Sequence, residues 1–253
     1  MDILGRETWI VLTAGLFGAV LAGGIAWFVR KREWEPEDVT IGFLGPSLAA
    51  MYLLVLALSL ATEWQTIGSA QQAVGNEAVA ARQIYWAASG LPAPAAASLE
   101  TQVRDYVSTA VHDDWPQMQR GTLDERSDEM IANMSTFILR FNPATSSAAN
   151  AQQYALGQIS VLATARAQRA NAATSRLPLG VLAAVIVTSL VICVFPFAGG
   201  IKSATVCVAL ATLQAALVTV CVVIIIQLDN PFTGPLATTP DPLTAVAAQI
   251  GAR

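Results

Sequence analysis

Charge is the scarcest feature of this chain. Of 253 residues only 13% are charged, about half the roughly 25% usual in soluble domains. A shortage of charge with a surplus of apolar residues excludes a disordered chain, which needs the reverse. Lysine occurs only at Lys31 and Lys202, and the net charge is −4, so there is no basic footprint for nucleic acid. Histidine occurs once, at His112, too few for a histidine-built metal centre. Cysteine occurs three times, at Cys193, Cys207 and Cys221, each inside an apolar run. That odd set excludes a disulfide framework and a zinc site. No glycine-rich phosphate loop and no nucleophile elbow is present. These absences lead us to expect no enzyme, no cofactor and no bound metal.

What the chain has is apolar length. Hydrophobic residues make up 54% of it, and its mean hydropathy is +0.52. Four stretches carry no charge: Thr8–Val29, Val39–Thr62, Leu177–Ile201 and Ser203–Leu228. Each exceeds the roughly 20 residues that cross a bilayer core. A fifth uncharged stretch, Phe141–Ala165, holds Asn142, Asn150, Gln152, Gln153 and Gln158 and is too polar to span. The expectation is an all-α membrane protein with four transmembrane helices in two pairs and a helical bundle between the second and third. The first stretch is longer than a signal-peptide core, and Arg30-Lys31-Arg32 follows it as a basic stop, so it reads as a retained helix. Its Ala14, Gly18, Ala22 and Ala26 recur every four residues and favour close helix packing.

The domain boundaries follow. Residues 1–62 carry the first pair of spans, 63–176 a water-exposed bundle, 177–228 the second pair, and 229–253 a capping motif with a loose tail rich in Pro, Thr and Ala. Within 63–176, Ile67, Val74, Ala78, Ala81, Tyr85 and Ala88 repeat at helical spacing with no break from the second span. One helix should therefore leave the membrane and enter the bundle. A second helix carries Leu99, Val103, Tyr106 and Val107 and should stop before Asp114-Trp115-Pro116. Thr122 and Glu125 fit a capping box ahead of a third, with Met130, Met134, Phe137 and Ile138. The fourth runs from about Thr145 to Ser175, with Ala155, Ile159, Leu162, Arg166 and Arg169 on one side. His112-Asp113-Asp114 reads as a solvated helix end, since calcium needs six to eight oxygen ligands.

Several motifs fall in a familiar order. Glu37-Asp38-Val39 precedes a glycine-bearing second span that ends near Glu63-Trp64-Gln65. Val74-Gly75-Asn76-Glu77-Ala78, Leu91-Pro92, Asp114-Trp115-Pro116, Arg166 with Arg169, and Asp229-Asn230-Pro231-Phe232-Thr233-Gly234 follow. Over roughly residues 37–234 this resembles the bestrophin-like domain family of bacterial membrane proteins. The resemblance implies a pentameric channel with the second helix along its pore. It singles out Glu77, Trp115, Pro116, Asp229, Asn230, Pro231 and Phe232 as motif residues. Animal bestrophins carry an acidic run after the Asn-Pro-Phe element. Here only Asp241 lies downstream, which puts calcium gating in doubt.

The second span also has a polar face. Tyr52, Ser59, Glu63 and Thr66 lie at i, i+7, i+11 and i+14. Polar groups in lipid should face protein or water, so these four are pore-lining candidates, as is Gln214 in the fourth span. A buried interhelical seam is the competing reading. Positive-inside counting is level, with Arg30, Lys31, Arg32 and Lys202 against Arg6, Arg166, Arg169 and Arg176. The resemblance leans the bundle toward the cytoplasmic side of the plasma membrane. The reading is a homo-oligomeric ion channel in a lipid bilayer, of unspecified ion. The alternative is a non-conducting scaffold or sensor whose bundle binds a partner protein.

Overall fold

The structure, a computed structural model, describes residues 38–175, 179–198, 204–234 and 236–251. The first apolar stretch, its basic stop and the turn near Gly199 lie outside the described residues. Among those described there is no strand. The helices run in the order α1 (Asp38–Ala88), α2 (Ala93–Thr109), a π-helical turn (Ala110–Asp114), α3 (Trp115–Gln119), α4 (Arg126–Arg140), α5 (Ser146–Thr174), α6 (Leu179–Ala198), α7 (Ala204–Leu228) and α8 (Asp241–Ile250). They group into two compact units, Met1–Glu63 with Leu177–Asp229 and Trp64–Arg176 with Asn230–Arg253.

In the first unit, α6 and α7 pack against each other. Two described helices are long and apolar enough to cross a membrane, over Gly45–Ala88 and Val208–Ile225, and Ala183–Cys193 is a shorter apolar segment. Much of the α7 surface is apolar and exposed, through Val208, Leu213, Leu217 and Val220, as a lipid-facing helix requires. Gly45 permits a close approach. A Cβ there would lie 2.8 Å from the Phe195 ring.

The second unit is a bundle around one apolar core. Its centre includes Val74, Leu99, Tyr106, Met134, Ile138 and Leu162, periodic positions read from sequence on α1, α2, α4 and α5, together with Ile84 and Leu243, which that reading did not pick out. Helix α1 is a single 51-residue helix, with no interruption between Ala61 and Thr66. Three features differ from expectation. The second bundle helix does not stop before Asp114. It widens into the π turn and continues as α3, with Pro116 in the first turn of α3. The Thr122–Glu125 capping box is not formed. Asp124 Oδ1 instead accepts from the Arg126 N–H at 3.0 Å, and Thr122 donates to the Gln117 carbonyl.

The third difference is the tail. Residues 241–250 are not loose but form α8, with Leu243, Val246, Ala247 and Ile250 buried. Spacing of i, i+3, i+4 and i+7 gives that short helix one apolar stripe, and burial of the stripe offsets its ordering entropy. Arg104 Nε donates to the Ile250 carbonyl at 2.8 Å, a cation at a helix C-terminus. Gly251 closes the helix at φ 71°, a backbone angle that favours glycine.

Candidate functional site

The pore-lining candidates are placed as follows. Tyr52, Ser59 and Glu63 are all buried inside the protomer. Tyr52 lies among Ser189, Cys193 and Cys221, and the Ser59 hydroxyl donates to the Val55 carbonyl at 2.8 Å. This face of α1 is therefore an interhelical seam, and the three residues do not themselves face outward. Thr66 is half-buried and lines an uncharged cleft of ≈ 390 Å³ with Ser69, Gln72, Gln168 and Asn171. Gln214 is half-buried on α7.

The exposed surface of α1 is broad, with Leu53, Leu60 and Trp64 on one side and a mixed stripe on another. Met51, Leu54 and Leu58 are 55%, 70% and 65% exposed. Thr62, Gln65, Ser69, Gln72 and Asn76 are exposed in turn. These eight positions stay within about 80° of helix surface at 100° per residue. The stripe is apolar over its first three residues and uncharged polar over the next five.

A buried ionic cluster is built on Glu77, one of the motif residues. Glu77 of α1, fully buried, forks with Arg169 of α5. Arg169 Nε lies 2.6 Å from Glu77 Oε2, and Nη2 donates to Oε1 at 2.9 Å. Arg169 Nη2 also reaches Asp114 Oδ2 at 3.2 Å, and Arg166 Nη2 approaches the same oxygen at 3.4 Å. Ser127 of α4 donates to it at 2.8 Å, and Tyr106 of α2 donates to Glu77 Oε1. Arg166 adds a bond to the Asp124 carbonyl at 2.9 Å. Two arginines thus meet two carboxylates away from water, where partial pairing would be costly.

Burial works against the Arg169 charge. The carboxylate of Glu77, then Tyr106 and Asp114, outweigh it and hold the guanidinium proton more firmly than usual. Burial, and next the Glu77 charge, push the Tyr106 hydroxyl well above its ordinary range.

Sequence reading placed Asp114 at a solvated end, and the structure corrects this. The π turn adds a residue to one helical turn, and Asp114 and Trp115 are both buried as a result. Such turns recur at functional positions. The signal for the cluster was present: Glu77, Arg166 and Arg169 sit at core positions of otherwise apolar helical faces, and buried charges require partners.

The motif after α7 completes the bundle. Asn230 Oδ1 accepts from the Phe232 N–H at 3.0 Å, an Asx turn that redirects the chain. Pro231 is buried, and its carbonyl accepts from the Thr238 N–H at 2.8 Å. Phe232 is 1% exposed and meets Trp115 edge-on at 5.4 Å between centroids. Trp115 also lies 5.9 Å from the Arg169 guanidinium, so latch and ionic cluster are contiguous. Pro116 is exposed, and Asp229 is half-buried at the end of α7.

These elements lie almost wholly within the match to one family model. The model of the Bestrophin-like domain covers residues 11–243. The chain belongs to the bestrophin-like domain family. Among solved structures, two point variants of a bacterial bestrophin homologue from Klebsiella pneumoniae share its fold. Their TM-scores are 0.64 at 15% identity and 0.64 at 16% identity, over 99% of this chain and 98% and 96% of theirs. A structure described only as a membrane protein has a TM-score of 0.65 at 15% identity, over 95% of both chains. No curated protein matches the chain.

Proposed function

We propose that this chain is the subunit of a homo-oligomeric ion channel whose pore is lined by the outward stripe of α1. The observation that carries this reading is the composition of the stripe. Met51, Leu54 and Leu58 expose bulky apolar side chains, and Gln65, Ser69, Gln72 and Asn76 expose neutral polar ones. In a ring of subunits the first set makes a constriction that gates by excluding water, and the second makes a wetted passage. Tyr52, Ser59 and Glu63 act behind the pore, holding α1 against α6 and α7. Family membership supports four spans per subunit, a pentamer, and a bundle on the cytoplasmic side of the plasma membrane. Charge counting is level, so the orientation rests on the family.

Planar bilayer recording of the purified protein tests the proposal. Gln65→Glu would add a ring of acid to the passage and raise cation preference. A conducting protein whose selectivity ignores that change would remove α1 from the pore. Failure to conduct under varied pH and voltage, with intact assembly, would favour the scaffold alternative.

A further inference from the structure

The bundle carries a second cleft, at the end remote from Trp64, where α4 passes the start of α2. Its volume is ≈ 660 Å³, within the usual range for small-molecule sites. Phe137 and Phe141 line it from one side, and Pro92, Pro94 and Ala95 from the other. The aromatic wall is held in place from behind. Gln152 Nε2 donates to the carbonyls of Ile138 and Phe141 at 2.7 and 2.8 Å. Gly90 fits α1 closely against α5 just before the proline rim, since a Cβ there would lie 2.7 Å from Ala151 Cβ.

One charged side chain reaches this cleft. Arg140 lines it with Asn133 and Thr136, and its guanidinium has no ion pair or hydrogen bond among the described residues. Four other arginines of the bundle, Arg104, Arg126, Arg166 and Arg169, are paired with carboxylates, while Arg120 donates to the Pro116 carbonyl and Arg82 lies over the Trp86 ring. We propose that this cleft binds a small amphipathic monocarboxylate. The carboxylate would sit on the Arg140 fork, and an aromatic or branched apolar body would lie between the two phenylalanines and the prolines.

The chemistry narrows the ligand class. A guanidinium pairs a carboxylate through two parallel N–H donors, and Asn133 and Thr136 offer further hydrogen bonds to its oxygens. Phosphate or a dianion would find a single cation and mostly apolar walls, and would lose more hydration than it regains. A purely apolar ligand would leave Arg140 beside it without a partner. The site does not depend on the channel proposal, since every lining residue belongs to the bundle.

The test uses the full chain in detergent, with 3-phenylpropionate as probe and 3-phenylpropionamide as its uncharged counterpart, titrated by calorimetry to ~5 mM. Saturable binding within that range is expected. The acid should bind at least about tenfold more tightly than the amide. Arg140→Gln should erase that difference while leaving the melting temperature unchanged, because the side chain is exposed. Phe137→Leu should weaken both ligands. Inorganic phosphate should not compete. Equal affinity for acid and amide, an unaffected Arg140→Gln variant, competition by phosphate, or no saturable binding would each overturn the proposal.

Discussion

Arg169 holds carboxylates from two separate elements, Glu77 on α1 and Asp114 on the π turn. Removing it leaves a fully buried Glu77 without its counter-charge. Arg169→Met should therefore cost about 3–5 kcal/mol of stability, read from denaturant unfolding in detergent. Arg169→Lys should not restore it, because one ammonium cannot fork onto Glu77 while also reaching Asp114. A variant that unfolds like wild type would show the cluster to be dispensable. Tyr106 adds a pH signature. Its folded pKa lies above the reference value of 10.0, so between that value and the folded one the native state keeps a proton that the unfolded chain has released. Stability from this group is complete below about pH 10 and falls as pH rises through that window. Tyr106→Phe should be less stable at neutral pH but lose less stability above pH 10. Equal slopes in alkaline unfolding would contradict the assignment.

Two short elements decide how the bundle closes, and they differ in how far the sequence reveals them. Phe232 is held by the Asx turn of Asn230 and buried against Trp115. Phe232→Ala should cost about 3–5 kcal/mol. Unchanged melting would reduce Asp229-Asn230-Pro231-Phe232 to a helix stop. This latch was legible because Pro231 must end the helix and an aromatic follows it. Helix α8 was not, since Pro, Thr and Ala dilute its apolar stripe to Leu243, Val246, Ala247 and Ile250. Leu243→Ala, from a site with no exposure, should cost about 2–5 kcal/mol and expose the tail to protease before the rest of the bundle. The periodic cores of α1, α2, α4 and α5 could be read directly, as could the run of α1 past Trp64. The π turn could not. It breaks the 3.6-residue spacing by one residue, so periodicity puts Asp114 outside when it is inside. The Tyr52, Ser59 and Glu63 face of α1 was open to two readings, pore lining or buried seam. Polar residues on a membrane helix announce burial or water, and periodicity alone cannot choose between them.

At the scale of the whole molecule, α1 is the one described helix whose residues fall in both compact units. The proposed pore follows its outward stripe, and its seam residues stay behind. Glu63→Gln should accordingly leave ion selectivity unchanged in bilayer recordings, whereas Gln65→Glu should shift it toward cations. A selectivity change with Glu63→Gln would return the pore to the Tyr52, Ser59 and Glu63 face. The most direct measurement is thiol accessibility during conduction, in a protein whose native Cys193, Cys207 and Cys221 are replaced by alanine. Leu58→Cys and Ser69→Cys, on the stripe, should react with a charged methanethiosulfonate reagent and change the single-channel current on modification. Ser59→Cys, buried in the seam, should leave the current as it was. Modification at Ser59→Cys with silence at Leu58→Cys and Ser69→Cys would contradict the account.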